Sequence, residues 1–376
     1  KFRDEFEKEY EQFSKVLVSG LEKLAGLQSK FGAISAKNAF DLVTAQGLPF
    51  DIILEFAKEQ NIKVDEQGYK ELLQKHRDIS RNISKNDSHL GNKNIESLNN
   101  FDTTDFVGYE TLNCESKIIG ILKGETLVNE ASCNESVAVI TQKTCFWAES
   151  GGQCADEGYI YNGNFKMKIT DVQKKNNGVF VHFGTIEYGS VKINELANLE
   201  VNSGVRRCLA NNHSAAHLLH SALKNIFGKE VNQAGSKVEK DKLRFDFNLD
   251  KKISDENIMK IEELVNASIR DNIKCIVESK TLQEAKSDGA IALFDSKYSE
   301  KVRVVTFGDV SKELCAGTHT ERTGNIGLFV ILSTEGIGKG MKRITAVTGK
   351  EALQYLWKER TLVKEVSNKL QVKPEE

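Results

Sequence analysis

No run in these 376 residues approaches the roughly 20 uninterrupted apolar residues that a membrane-spanning helix requires. The opening residues, KFRDEFEKEYEQF, also lack the apolar centre of a secretory signal. Both absences exclude membrane partners and lead to the expectation of a soluble, cytoplasmic protein. An initiating methionine is missing too. Lys1 falls directly inside a charged helical pattern, which points to a segment of a longer protein with further domains elsewhere. Cysteine is scarce and unpaired in its spacing: the seven, at 114, 133, 145, 154, 208, 275 and 315, are odd in number and share no CxxC, which excludes a disulfide framework. Neither sign of charge dominates. A net charge of −2 exerts no global pull on a polyanion, so nucleic-acid contact must come from local patches such as Arg206-Arg207 or Lys339 to Arg343. No glycine-rich phosphate loop of the P-loop or dinucleotide kind is present, so ATP chemistry is not expected of these residues.

What the chain does have is 39% hydrophobic residues, enough for two or three domains with buried cores. From Phe2 to about Gly26, Phe2, Phe6, Phe13, Val16, Leu17, Leu21 and Leu24 recur at helical spacing among charged residues. Asn38 to Val43, Asp51 to Gln60 and Asp65 to Ile79 read as short helices, with a break at Gly47-Leu48-Pro49 and with Asp51 and Asp65 as N-caps. Residues 1–80 thus form a helical unit, and the polar stretch that follows, aromatic-free over 81–100, reads as a linker that runs to residue 103.

Over 104–204 the pattern becomes short apolar runs (Ser116 to Leu122, Ser136 to Ile140, Phe165 to Val172, Val179 to Phe183) between Gly and Asn turns, which predicts a small β-barrel. Residues 205–349 mix the two periods, with helices from about Asn212 to Phe227 and Ser254 to Asp271 and strands at Lys242 to Phe247, Ile273 to Ser279 and Val302 to Val310. That mixture predicts an α+β core. Residues 350–376 are again helical and charged, and no internal repeat is apparent. The expected fold class is therefore an α+β multidomain protein: helical unit, small β-barrel and α+β core.

Metal chemistry is suggested by two pairs. His213 and His217 stand at i and i+4 of a predicted helix, so both imidazoles project from one face. In ELCAGTH, Ala316 and Gly317 are small enough for a tight turn to bring Cys315 and His319 to one centre. One thiolate and three imidazoles suit one zinc ion, which accepts sulfur and nitrogen in tetrahedral geometry. His220, one turn further along nearly the same face, could replace a ligand; with four already present it reads as a helix-face histidine that packs or bonds a carbonyl. The other cysteines read as small core residues.

These pairs, in this order, closely resemble the alanyl-tRNA synthetase family, in whose editing domain HxxxH and CxxxH bind zinc. TDFVGYE (104–110), FWAESGGQCADEG (146–158), NNHSAAHLLHSAL (211–223), QAGSKVEKDKLRFDF (233–247) and GIGKGMKRITAVTG (336–349) are similar to family segments in family order, and LPFDIILEFAKEQNIKVDEQGYKELLQKHR (48–77) to the end of the tRNA-recognition helices. The resemblance implies removal of a wrong amino acid from tRNA(Ala) as Ser-tRNA(Ala) or Gly-tRNA(Ala), with ATP used only in a ligase domain outside this chain and oligomerisation through an absent C-terminal domain. It further implies a zinc set of His213, His217, Cys315 and His319, and substrate contacts from Gln233, Ser236, Arg244, Asp246 and Arg343. Ala216 stands where the family often has Thr, so a substrate hydroxyl contact is missing or comes from Ser214 or Ser236; Cys315-Ala316-Gly317 replaces the commoner Cys-Gly-Gly.

Three further features have structural as well as functional readings. Glu149, Asp156 and Glu157 around Gly151-Gly152 read as solvated acids on a barrel hairpin rather than as catalytic carboxylates. GIGKGMKRI, with Lys339, Lys342 and Arg343, reads as a surface turn or as an approach to the phosphates of a tRNA end. Arg244 and Asp246 alternate with Phe245 and Phe247, so the rings should face the core while the polar pair lines a pocket or pairs with itself.

Overall fold

The structure is a computed structural model that describes residues 33–46, 48–60, 62–83, 96–292, 300–338 and 340–373, together with Leu17, Gly20, Lys23 and Leu24. Most of the amphipathic pattern read over Phe2 to Gly26, and Lys339 of the basic segment, lie outside the described residues. The chain divides into two compact units, Lys1–Asn92 and Lys93–Glu376.

The first unit contains helices α1 (Ala36–Gln46), α2 (Phe50–Glu59) and α3 (Glu66–Ile83) around a core that includes Leu24, Leu42, Leu48, Ile53 and Tyr69. Asp65 caps α3 as expected, its carboxylate accepting from Gly68 N–H at 2.9 Å. Asp51 does not cap α2. That helix starts after Pro49, whose fixed φ of −59° presets the entry, and Asp51 falls in the first turn, where its charge still complements the helix dipole. The linker read from residue 81 begins later, since α3 continues to Ile83.

The second unit opens with six antiparallel strands: β1 (Asn113–Lys123), β2 (Ser136–Thr141), β3 (Gly158–Tyr161), β4 (Phe165–Lys174), β5 (Phe180–Lys192) and β6 (Leu196–Val201). They pair in the order β3-β6-β1-β2-β5-β4, and the β3–β4 pairing between the two ends closes the ring. Closure removes edge strands, and side chains fill so small a barrel. Ile118, Val139, Ile160, Phe165, Met167 and Leu199 do so here.

After the barrel comes α4 (Ser203–Phe227), with its first turn capped by the Asn202 side chain and its end marked by Gly228 at φ 114°. Every residue from Leu209 to Leu223 except Ser221 is buried. A helix buried all round is normally apolar all round. This one carries Asn211, Asn212, His213, Ser214, His217 and His220 in its buried stretch, and each needs a polar partner. Against it stands the sheet β7 (Gln233–Val238), β8 (Leu243–Asn248), β12 (Phe329–Gly338) and β13 (Met341–Thr348), ordered β7-β8-β13-β12. A second sheet runs β9 (Cys275–Thr281), β10 (Lys301–Phe307), β11 (Ser311–Leu314). Helix α5 (Asp255–Arg270), capped by a Ser254–Asn257 box, packs on α4; α6 (Leu282–Ser287) and α7 (Gly349–Leu370) complete seven helices among the described residues. The mixed multidomain class with a closed barrel agrees with the sequence. Phe245 and Phe247 face the core as their alternation requires.

Two readings of charge are corrected. Arg206 is no open basic patch and Asp156 no solvated acid: both are buried and ion-paired with each other. Arg206 Nε donates to both Asp156 oxygens at 2.9 and 3.0 Å, and its Nη1 and Nη2 donate to the carbonyls of Gly108 (2.6 Å) and Cys145 (2.9 Å). The pair therefore ties α4 to the barrel. Cys133 and Cys208 are exposed rather than core residues.

Candidate metal centre

His213 and His217 project from one face of α4, and the turn after β11 presents Cys315 and His319 opposite them. One ligand atom from each of the four lies within 4.8 Å of the other three. Cys315 Sγ is 3.4 Å from His213 Nε2 and 3.2 Å from His319 Nε2. The corresponding edge of a tetrahedral zinc site is about 3.5 Å, given Zn–S and Zn–N bonds of about 2.3 and 2.05 Å. The donor set thus fits zinc in both spacing and chemistry. A tight turn is needed as well: a Cβ at Gly317 would lie 2.0 Å from His213 Cε1.

Electrostatics bring two of the four toward the form a metal requires, Cys315 as thiolate and His319 as neutral imidazole. Burial opposes the Cys315 thiolate, but His213 and His319 beside it hold the thiol well below its usual range. Burial pushes His319 down to about 3. His217 goes the other way, up to about 9, because the Glu313 carboxylate and Cys315 outweigh its burial.

Partners outside the four orient two of the rings. Gln153 Oε1 accepts from His213 Nδ1 at 2.8 Å and from Thr318 N–H at 2.9 Å, while its Nε2 donates to Thr318 Oγ1 at 2.9 Å. The Thr318 amide requires an acceptor there, which fixes the Gln153 amide orientation and leaves His213 Nε2 for the centre. Gln153 reaches it because the 150–153 turn docks on β7: Val238 N–H donates to Gly152 O at 2.7 Å, and Gly152 sits at φ 84°. Ser214 Oγ is 3.1 Å from His319 Nδ1 and accepts from Thr320 N–H at 3.0 Å. Arg303 lies 4.5 Å from the Tyr109 ring centre and donates to the carbonyls of Cys315 and Gly317, both at 2.9 Å. The Tyr109 hydroxyl donates to Ala316 O.

Beside the cluster opens a cavity of about 790 Å³, bounded by His213, His217, Cys315, Gln233, Ser236 and Arg303 among others. Gln233 and Ser236 line it too, with Gln233 Nε2 donating to Ser236 Oγ at 3.0 Å. Ala216 also lines it. Of Ser214 and Ser236, the first has its Oγ engaged by His319 and Thr320 and the second lines the cavity. The structure does not bring Arg244, Asp246 or Arg343 to this wall. Arg244 bonds Glu239 at 3.1 Å; Asp246 is held by Arg343 through two bonds of 2.7 and 2.8 Å. The two polar residues of β8 therefore pair with Glu239, just past β7, and with Arg343 of β13 rather than with each other. Glu157 is ion-paired with Lys240 at 2.7 Å, and Glu149 is exposed.

Sequence reasoning missed Gln153, Glu313, Arg303 and Tyr109. The one local signal for Gln153 was its place after Gly151-Gly152, two glycines in a tight turn; Glu313 was visible only as a neighbour of Cys315.

A family profile described as "tRNA synthetases class II (A)" matches residues 2–205, which include the barrel, and one described as "Threonyl and Alanyl tRNA synthetase second additional domain" matches residues 302–345, which include Cys315 and His319. Class II tRNA synthetases are thus the wider group. Among similar proteins, an alanine–tRNA ligase of Thermoanaerobacter sp. (strain X514) is 41% identical over 343 residues, 91% of this chain and 39% of that protein. One from Acaryochloris marina is 38% identical over 378 residues (100% and 43%), and one from Staphylococcus saprophyticus 41% over 374 (98% and 42%). The chain belongs to the alanyl-tRNA synthetase family. It spans about two fifths of the length of these relatives.

Proposed function

We propose that residues 205–349 form a zinc-dependent editing core that hydrolyses the ester of Ser-tRNA(Ala) or Gly-tRNA(Ala). The observation that carries this reading is the four-atom cluster of His213, His217, Cys315 and His319 opening on a cavity that also holds Gln233 and Ser236. A binding site for alanine gains little discrimination against glycine, since a missing methyl changes binding by only about 1–3 kcal/mol, and it rejects an added hydroxyl poorly. A second, hydrolytic site answers that deficit.

The four residues would hold zinc, which when bound supplies a positive charge able to polarise an ester and orient the aminoacyl end. Gln153 and Ser214 keep two imidazoles aimed at the centre. Gln233 and Ser236 offer a seryl hydroxyl a polar pair; alanine would leave that pair unmatched, and sites of this kind discriminate by roughly 10⁴-fold. Arg303 and Tyr109 fix the carbonyls of the 315–317 turn, so the thiolate cannot drift. The helical residues 1–80 are read as the end of the tRNA-recognition region and 350–376 as the lead into a further domain. The relatives named above are alanine–tRNA ligases, and attachment of alanine to tRNA(Ala) is read as the activity that this editing site would serve.

A deacylation assay on seryl- and alanyl-tRNA, run beside metal analysis, tests the reading. Seryl ester should be cleaved and alanyl ester spared, with about one zinc per chain. Gln233→Ala should narrow the seryl-to-alanyl ratio and leave zinc in place. One observation favours a second reading, a zinc-stabilised RNA-binding module without catalysis: four protein ligands fill a tetrahedron, as in structural zinc sites. Zinc-loaded protein that binds tRNA and cleaves neither ester would establish it.

A further inference from the structure

Two of the three clustered imidazoles have their second nitrogen fixed, His213 by Gln153 and His319 by Ser214. The third does not. His217 Nδ1 is buried and makes no hydrogen bond, and Glu313 Oε2 stands 3.7 Å from it, within ion-pair reach but beyond hydrogen-bond length. Glu313 is itself buried at 4% exposure, on β11 two residues before Cys315. Its other oxygen, Oε1, accepts from His220 Nδ1 at 3.0 Å and from Ser311 Oγ at 3.2 Å. His220 lies one turn beyond His217 on α4, fully buried, and its Nε2 has no partner. A buried carboxylate is retained in a fold only when charged or polar groups meet it on several sides. Here Ser311 and His220 hold one oxygen, and the other stands within ion-pair reach of His217.

We propose that Glu313 is the positioning residue for His217, and that His220 serves the site as the clamp on Glu313 and not as a ligand. This inference rests on the metal reading above. It assigns a role to His220, which the sequence left open between ligand and packing residue. It also explains why α4 carries three histidines on one face when the cluster uses two. A metal-bound imidazole whose outer N–H meets a carboxylate is held in one tautomer and one rotation, and loss of such a partner typically weakens metal binding 10–100-fold.

The experiment measures zinc affinity of the whole chain by competition with a chromogenic chelator, and records the cobalt(II) absorption spectrum of each variant. Glu313→Gln keeps the side-chain shape and should weaken zinc roughly 10–100-fold, with the cobalt spectrum still that of one thiolate and three imidazoles. His220→Asn, whose amide can donate from near the Nδ1 position, should stay close to the parent; His220→Leu, which cannot donate, should lose as much as Glu313→Gln. Thermal unfolding of the chelator-treated proteins reports folding independently of metal. If Glu313→Gln fails to fold, the contrast between His220→Asn and His220→Leu decides the matter. Parent-level affinity in Glu313→Gln, or equal affinities in the two His220 variants, would overturn this proposal alone. An altered cobalt spectrum in His220→Asn would make His220 a ligand and overturn it too. A parent protein that takes up no zinc would reject the metal centre itself.

Discussion

The barrel buries His182 and the α+β core buries His217, each almost completely removed from solvent, and the two rings are treated in opposite ways. In the barrel, His182 Nε2 is 2.7 Å from Thr144 Oγ1 and Nδ1 is 3.0 Å from the Val139 carbonyl, so both nitrogens are occupied. Burial pushes that ring down to about 4, and it remains neutral. In the core, His217 has an Nδ1 without a hydrogen bond, a thiolate on one side, a carboxylate on another, and is pushed up to about 9. A satisfied, neutral imidazole is a structural piece. One with unspent bonding capacity beside a thiolate and two further imidazoles is a site. The contrast separates a scaffold from a centre inside one compact unit, without reference to any relative.

The largest effect should come from breaking the centre. Substituting both His213 and His217 removes half the ligand set, and zinc content should fall from about one per chain to none; full occupancy in the double variant would reject the site. Cys315→Ala should abolish seryl-tRNA hydrolysis through loss of metal, and hydrolysis that survives it would sink the editing proposal. His182→Asn, by contrast, should leave zinc content unchanged.

Next in size is the tie between the two regions. Asp156 and Arg206 are buried together, and removing one charge strands the other, which typically costs about 3–5 kcal/mol. Asp156→Asn should therefore lower chemical stability by that order, measured by denaturant unfolding. A loss under about 1 kcal/mol would mean the pair is solvated in solution.

This pair also shows where sequence reasoning fails. Arg206 beside Arg207 looks like a basic patch, and Asp156 between Cys154-Ala155 and Glu157 looks like a hairpin acid. Charge in a sequence carries no sign of burial, and their contact joins positions 50 residues apart. The four clustered residues were legible because HxxxH is a local consequence of helix geometry and CxxxH of a tight turn, so each pair announces itself. The barrel was legible from its short apolar runs between Gly and Asn turns, and α5 was read over Ser254 to Asp271. Gln153 was not, because it reaches His213 across 60 positions through a turn whose docking on β7 depends on backbone shape. Glu313 was in view inside ELCAGTH, yet an isolated carboxylate has no spacing that betrays a histidine partner 96 or 93 positions away.

A smaller effect follows from His182. Its folded value of about 4 lies below the ordinary 6.5. The unfolded chain therefore takes up a proton as pH falls through about 6.5 while the folded chain does not until about 4, so stability drops across that window. The contribution is about 3 kcal/mol at most. Unfolding free energies of the parent and of His182→Asn, compared at pH 7 and 4.5, cancel the other titrating groups. The parent should lose more than the variant on acidification; equal losses would show that His182 is hydrated or protonated in the folded barrel.

The smallest effect belongs to a pair that the family resemblance marked for substrate and the structure places elsewhere. Arg343 and Asp246 face each other across β13 and β8, in direct register, and meet through two bonds of 2.7 and 2.8 Å. Their side chains keep 32% and 19% exposure, so water screens the attraction. Exposed pairs contribute about 0.2–1 kcal/mol, and the two-bond geometry places this one toward the upper end. Neither residue borders the cavity beside Cys315. Arg343→Ala should thus cost about 1 kcal/mol or less, leave zinc content as it is, and leave the seryl-to-alanyl hydrolysis ratio at the parent value. Its outward position on the β12–β13 hairpin permits one further effect: weaker binding of tRNA, reduced evenly for seryl and alanyl forms and diminished by salt, as for a contact to phosphate. A change in the hydrolysis ratio would instead bring Arg343 into the pocket and require β8 and β13 to rearrange when substrate binds, which would extend the working site from the metal turn across the whole four-stranded sheet.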